Sequence, residues 1–164
     1  MPLLTEGEAI QQVIARDPLF HVEERVIRGE QLPVFINAPD SLRGLLMLSA
    51  DRYADSELML YRDERITYGA FAERVWRFAH QLEVDYQVGP GDRVAVAMPN
   101  NPEYLIAVLA IASLGAVVVY LNAWWTTPEL EYGFQDSGAQ LAIVDDERAT
   151  RIVPSCQTLA ITLI

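Results

Sequence analysis

Two adjacent indoles, Trp124 and Trp125, are the residues whose type and placement most invite a chemical reading. They lie between a β-branched run, Val117-Val118-Val119-Tyr120, and a helix start, Thr127-Pro128-Glu129. Indoles at a strand-to-helix junction could stack on an adenine, at about 1–3 kcal/mol per base. They could equally serve packing, one ring under the helix and the other over the sheet edge. Other candidates offer less. Asp145-Asp146-Glu147 falls at the carboxyl end of an expected strand, where open α/β sheets bind ligands, and could hold magnesium. The competing reading has Asp146 cap a helix and leaves the other two acids in solvent. No second carboxylate cluster accompanies them, so no metal site is assigned. His21 and His80 have no Ser, Cys or Asp partner at a recognisable spacing and receive no catalytic role. Ser155 and Cys156 follow Pro154 in an expected loop without a nucleophile-elbow pattern. Gly89-Pro90-Gly91 precedes a strand, whereas a dinucleotide loop follows one, so it reads as a turn.

Composition narrows the chemistry further. The 164 residues are 51% apolar and carry a formal charge of −11, enough apolar content for a packed core and too acidic for a phosphate backbone. Nucleic-acid binding is therefore not expected. All twelve basic residues are arginine, which excludes a lysine Schiff base or a Walker-type phosphate lysine within this segment. A single cysteine, Cys156, gives no disulfide framework and suits a reducing, cytoplasmic setting. No secretory or transit signal is evident at the N-terminus. Residues 104–125 carry no charge, but Ser113-Leu114-Gly115 divides the stretch into a helix-like half and a strand-like half, so no transmembrane segment is expected.

The elements that must position these residues follow from local signals. An amphipathic helix over residues 6–16 precedes a hairpin over residues 21–36 turning at Gly29. Ser41 is the expected cap of a helix running to about Tyr53. A strand over residues 57–61 is followed by a turn, Arg62-Asp63-Glu64-Arg65. Thr67 then caps a helix whose apolar face is Phe71, Val75, Phe78, Ala79 and Leu82. After residues 93–98, a strand, the pattern repeats. Asn101-Pro102-Glu103 opens a helix ending at Gly115 before strand 117–121, and Thr127-Pro128-Glu129 opens another ending at Gly138 before strand 140–144. The β-α-β-α-β order implies parallel strands. A short helix through Ile152 and an apolar strand over residues 159–164 complete the reading. The expected fold is α/β, a mainly parallel sheet flanked by helices. Residues 1–40 form a helix-and-hairpin extension, and residues 41–164 an α/β subdomain that reads as truncated, because its last apolar strand lacks a cover. Such an uncovered edge would favour pairing into a homodimer.

From residue 58 to about 151 the chain resembles the adenylate-forming superfamily, which includes acyl-CoA synthetases, luciferases and peptide-synthetase adenylation domains. Six segments carry the resemblance, in order and at matching spacing: Ile66-Thr67-Tyr68-Gly69-Ala70-Phe71, Val88-Gly89-Pro90-Gly91-Asp92-Arg93-Val94-Ala95, Pro99-Asn100-Asn101-Pro102-Glu103, the stretch from Ile111 to Asn122, Thr127-Pro128-Glu129-Leu130 and Asp136-Ser137-Gly138-Ala139. Ala70, Leu114 and Tyr120 depart from the family pattern, replacing the usual acid, Lys or Ile, and Pro. The run Asn122-Ala123-Trp124-Trp125-Thr126 resembles the branch of long-chain and medium-chain acyl-CoA ligases. The resemblance implies a ligase that uses ATP, Mg2+ and CoA. A fatty or other carboxylate attacks the α-phosphate of ATP, releasing pyrophosphate and leaving an acyl-adenylate, from which the CoA thiol then displaces AMP. It also implies that the Gly/Ser/Thr-rich phosphate loop and the mobile lysine lie outside this chain. No residue here is carried over as catalytic, and the fragment alone is expected to be inactive. Trp124 and Trp125 are the candidate surface for the nucleotide end of CoA. Two rival readings remain: an amino-acid adenylation domain, and a non-catalytic module binding a nucleotide or CoA.

Overall fold

A computed structural model describes residues 4–164. Its contacts divide the chain into two units, Met1–Leu45 and Leu46–Ile164. In the first, helix α1 (Glu6–Arg16) opens with a capping box. The Glu8 carboxylate accepts from both the backbone N–H and the hydroxyl of Thr5. A 3-10 turn at Pro18–Phe20 leads into the antiparallel hairpin β1 (Val22–Ile27) and β2 (Glu30–Phe35). Gly29, at φ +92°, makes the turn. None of these three elements contains a buried residue, so local capping and turn chemistry rather than a core defines them.

The second unit holds the core. Helix α2 (Leu42–Tyr53), whose first turn belongs to the first unit, begins where the Ser41 hydroxyl accepts from the Gly44 N–H at 3.0 Å. A small hairpin, β3 (Glu57–Tyr61) and β4 (Glu64–Thr67), follows. Here the expected four-residue turn is corrected: Glu64 and Arg65 belong to β4, paired with Tyr61 and Leu60, and the reversal is confined to Arg62-Asp63. Arg62 takes the left-handed conformation a two-residue reversal needs, at φ +55°. Thr67 ends β4 and caps α3 (Tyr68–Tyr86), accepting from the Ala70 N–H at 3.2 Å.

Beyond it runs a parallel sheet in the order β6-β5-β7-β8, made of β5 (Arg93–Ala97), β6 (Val117–Tyr120), β7 (Leu141–Val144) and β8 (Thr162–Leu163). Crossovers are α4 (Pro102–Ser113), α5 (Thr127–Ser137) and α6 (Asp146–Leu159). The period-two geometry of β5 builds both faces of the core. Val94 and Val96 join the cluster that holds Phe71, Val75 and Leu82 of α3 and Ala107, Ala110 and Ile111 of α4. Ala95 and Ala97 point the other way, to Leu130 and Phe134 of α5 and Ile152 of α6. The sheet is thus central, with helices on both sides.

Two expectations near the end of the chain fail. The helix expected to stop at Ile152 continues to Leu159 through Pro154, so Ser155 and Cys156 are helical, not in a loop. Pro154 forfeits one backbone donor, and its exposed position lets the helix tolerate it. The strand expected from residue 159 shrinks to Thr162–Leu163, because Leu159 ends α6 and Ala160, at φ +53°, caps it in the left-handed region.

Candidate functional site

The strand order places a reversal of winding beside β5. Its exit loop feeds α4, in the α3 cluster, while the exits of its neighbours β6 and β7 feed α5 and α6, in the opposite cluster. Loops that part to opposite faces leave a crevice at the carboxyl ends of the strands, the place where open α/β sheets take ligands. A cavity of about 560 Å³ lies there, lined on the β5 side by Met98, Pro99, Asn100 and Tyr104 and on the β6 side by residues 120–124. Asn101 caps α4, its carboxamide oxygen accepting from the Tyr104 N–H at 2.9 Å. Tyr104 faces Tyr120 across the crevice with ring centroids 6.3 Å apart. Burial, and secondarily the neighbouring Tyr120 phenol, raises the pKa of Tyr104 above the usual tyrosine range. The Tyr104 phenol is therefore a neutral donor at ordinary pH.

The two tryptophans have opposite fates. Trp125 is half-buried, packed on the cluster that holds Leu121, Leu130 and Phe134. A Cβ on Gly133 would fall 3.0 Å from its ring and 2.8 Å from Leu121, so this close approach requires glycine in α5. Trp124 lines the crevice and is 75% exposed. Its main chain is nevertheless tightly held. Asn122 Oδ1 accepts from the Trp124 N–H at 2.9 Å, and the Glu129 carboxylate accepts from the N–H and hydroxyl of Thr126, both at 2.7 Å. Thr126, rather than Thr127, is thus the cap of α5, and these two bonds hold the Glu129 pKa below the usual carboxylate range.

Sequence reasoning missed the residue beneath this loop. Arg148 is 2% exposed, the largest of the fully buried side chains. Its Nε donates to the Ala123 carbonyl at 2.7 Å and its Nη1 to Asp145 and Glu147, both at 2.9 Å. Its guanidinium lies 5.1 Å from the centroid of the Trp124 ring. Arg151, one turn on, donates to the carbonyls of Ala123 at 3.3 Å and Trp125 at 3.0 Å and pairs with Glu147. An Asp-Asp-Glu-Arg start to a helix looks like a solvated, charged turn, and only the long-range fold reveals that Arg148 points inward. The cap of α6 is also corrected: Asp145, not Asp146, accepts from the Arg148 N–H at 3.0 Å. With Asp145 and Glu147 neutralising arginines, this acidic run does not fit a magnesium ion. Among the described residues no cluster of three potential metal ligands exists. His80 is solvent-exposed on α3, His21 lies in the first unit, and burial raises the pKa of the Cys156 thiol, making it a poor nucleophile. No helix among the described residues is long and apolar enough to cross a membrane.

A doubly covered parallel sheet with its cleft at a reversal of strand order defines a ligand-binding α/β protein. Residues 47–163 match the AMP-binding enzyme family, and the chain belongs to it. It is 37% identical over 116 residues to a long-chain-fatty-acid–CoA ligase of Salmonella typhimurium, covering 69% of this chain and 20% of that protein. To a feruloyl-CoA synthase of Amycolatopsis it is 41% identical over 87 residues, 53% of this chain and 18% of the relative. The chain therefore spans about a fifth of the length of the curated relatives it matches. In fold it is similar to the O-succinylbenzoate coenzyme A synthetase of Bacillus subtilis solved with AMP (TM-score 0.64, 26% identity, 73% of this chain and 30% of that one). It also resembles the N-terminal subdomain of NpsA from Klebsiella oxytoca (TM-score 0.67, 24% identity, 76% and 30%), a likeness of fold alone.

Proposed function

We propose that this chain is the N-terminal part of an AMP-forming carboxylate–CoA ligase, in which residues 41–164 form one wall of the substrate cleft. Residues 1–40 are a structural extension. The reading is supported above all by the family match together with relatives named as CoA ligases. The whole enzyme would join a fatty or other carboxylic acid to CoA through an acyl-adenylate, consuming ATP with Mg2+, in the cytoplasm. Adenylyl transfer demands a phosphate-cradling loop and a mobile cation to stabilise charge on the transferring phosphoryl group. A lysine for that task cannot come from this chain, which contains none. We accordingly expect the 164-residue polypeptide to make no acyl-AMP from ATP and a fatty acid. Product formation by it would overturn the reading.

The crevice supports a specific contribution to the second half-reaction. Trp124 offers an exposed indole face to a cleft lined with phenols and amides, chemistry suited to the nucleotide end of CoA. Trp125 stands behind it as packing. In the complete enzyme, Trp124→Ala is expected to raise the KM for CoA while the KM values for ATP and acid stay put. An unchanged KM for CoA would remove Trp124 from the site and leave the ligase assignment standing. Homodimer formation, which light scattering of the purified chain would detect, is proposed on the open sheet edge at β8 alone.

A further inference from the structure

The loop at the crevice presents an unusual combination: a tryptophan 75% exposed whose flanking carbonyls are both held by arginines of α6. Arg148 reaches back 25 residues to the Ala123 carbonyl, and Arg151 reaches 26 to that of Trp125. Trp124 sits between these two anchored peptides, with the Arg148 guanidinium under its ring. Solvation does not explain the arrangement, because a guanidinium that is 2% exposed has lost its water. Nor do its hydrogen bonds complete it: among the described residues Nη2 is buried with no hydrogen-bond partner. For a guanidinium in that position, the Trp124 ring 5.1 Å away is the remaining stabilisation. Charge balance within the α6 turn comes from Asp145 and Glu147, so the guanidinium needs no outside anion.

We infer that Arg148 is a positioning residue that fixes the indole of Trp124 at the wall of the crevice, so that ligand binding there depends on a side chain that itself never touches the ligand. The inference rests on the proposed role of Trp124 toward CoA and extends it to α6. An exposed indole free to rotate would lose conformational entropy on stacking, and prior immobilisation removes that cost. Arginine is favoured over lysine because a guanidinium fork can donate to Ala123, Asp145 and Glu147 while its Cζ stays over the ring.

The test compares Trp124→Ala, Arg148→Met, Arg148→Lys and the double variant Trp124→Ala/Arg148→Met in the complete enzyme. CoA saturation kinetics are measured beside hydrogen exchange at residues 123–126. Expected for Arg148→Met is a KM for CoA raised about fivefold or more with kcat little changed, and faster exchange across the loop. Arg148→Lys, which keeps the charge and guards against a variant that fails to fold, should fall between wild type and Arg148→Met. The double variant should be no worse than Trp124→Ala, since Arg148 acts through that ring. A raised KM in Trp124→Ala with a normal KM in both Arg148 variants would overturn the positioning role and leave the CoA reading intact. Additive effects in the double variant would overturn it too. An unaltered KM in Trp124→Ala would instead sink the CoA reading on which it stands.

Discussion

The two ends of the parallel sheet are built by different means. At the amino end, reversals close mainly backbone to backbone, with the Asp92 carboxylate accepting from the Gly89 N–H at 2.8 Å and Arg93 reaching the Gly138 carbonyl as side-chain additions. Gly91 N–H donates to the Gly115 carbonyl at 3.0 Å and Val117 N–H to that of Asp92 at 2.7 Å, while Gly91, Gly115 and Gly138 supply positive φ values of 87°, 75° and 65°. At the carboxyl end, side chains do the fastening: Asn101 on α4, Glu129 on Thr126, Asp145 on α6, and the two arginines on residues 123 and 125. Backbone turns leave little to vary without strain. A loop tied by side chains keeps its framework while the residue in its middle changes, which is what a binding end requires. The contrast suggests that the amino end carries stability and the carboxyl end carries recognition at a stability cost, since it buries an arginine to hold one loop.

Breaking the carboxyl end should have the larger effect. Asp145→Ala removes a helix cap and one of the acids that compensate Arg148, so a loss of about 2–4 kcal/mol is expected in chemical denaturation. Asp145→Asn keeps an N-cap acceptor and removes only the charge, and should lose less. Equal losses in the two would mean that the charge facing the buried arginine, not the cap, governs this end. At the amino end, Gly115→Ala forces a left-handed conformation on an L-residue and brings its Cβ 3.4 Å from that of Pro90. A loss of about 1–2 kcal/mol is expected, with CoA binding by the complete enzyme unaffected. A change in that binding would erase the proposed division of labour.

The same contrast governs how much could be read from the sequence. Amino-end turns and helix starts declare themselves within a few residues: Thr67, Ser41 and Asn101 are capping types, and Gly115 and Gly138 mark helix ends. The α/β class, the parallel order and the helix-flanked sheet follow from that local grammar. Errors arose where two local signals compete. Pro154 looked like a terminator but sits on the exposed face of a helix whose buried Ile152 and Ser155 hold it in place. The adjacent acids 145 and 146 are equally good caps, and the position of Arg148 beneath the loop decides between them. At the candidate site, Trp124 and Trp125 were conspicuous as a pair, but nothing local assigns one to solvent and the other to the core. Gly133 and Leu121 make that choice. Arg148 was invisible because the partner that draws it inward, the Ala123 carbonyl, lies 25 residues away and arginine at a helix start is ordinarily solvated.

The smallest expected effect tests whether the loop's outer fastening matters as its inner one does. Glu129 is held below the usual carboxylate range by the Thr126 N–H and, secondarily, by the Thr126 hydroxyl. A carboxylate whose folded pKa is depressed contributes stability that is present above its unfolded value and lost as pH falls through the folded one. Acidification through and below the normal carboxylate range should therefore loosen the entry to α5. Exchange protection at residues 122–126, taken relative to the intrinsic rate at each pH, should fall with falling pH more than at residues 93–97 of β5. Glu129→Gln keeps an acceptor for the Thr126 N–H but cannot titrate, so it should flatten that pH dependence while changing exchange little at neutral pH. If the Gln variant kept the wild-type slope, the acid-sensitive element would lie elsewhere than in this cap.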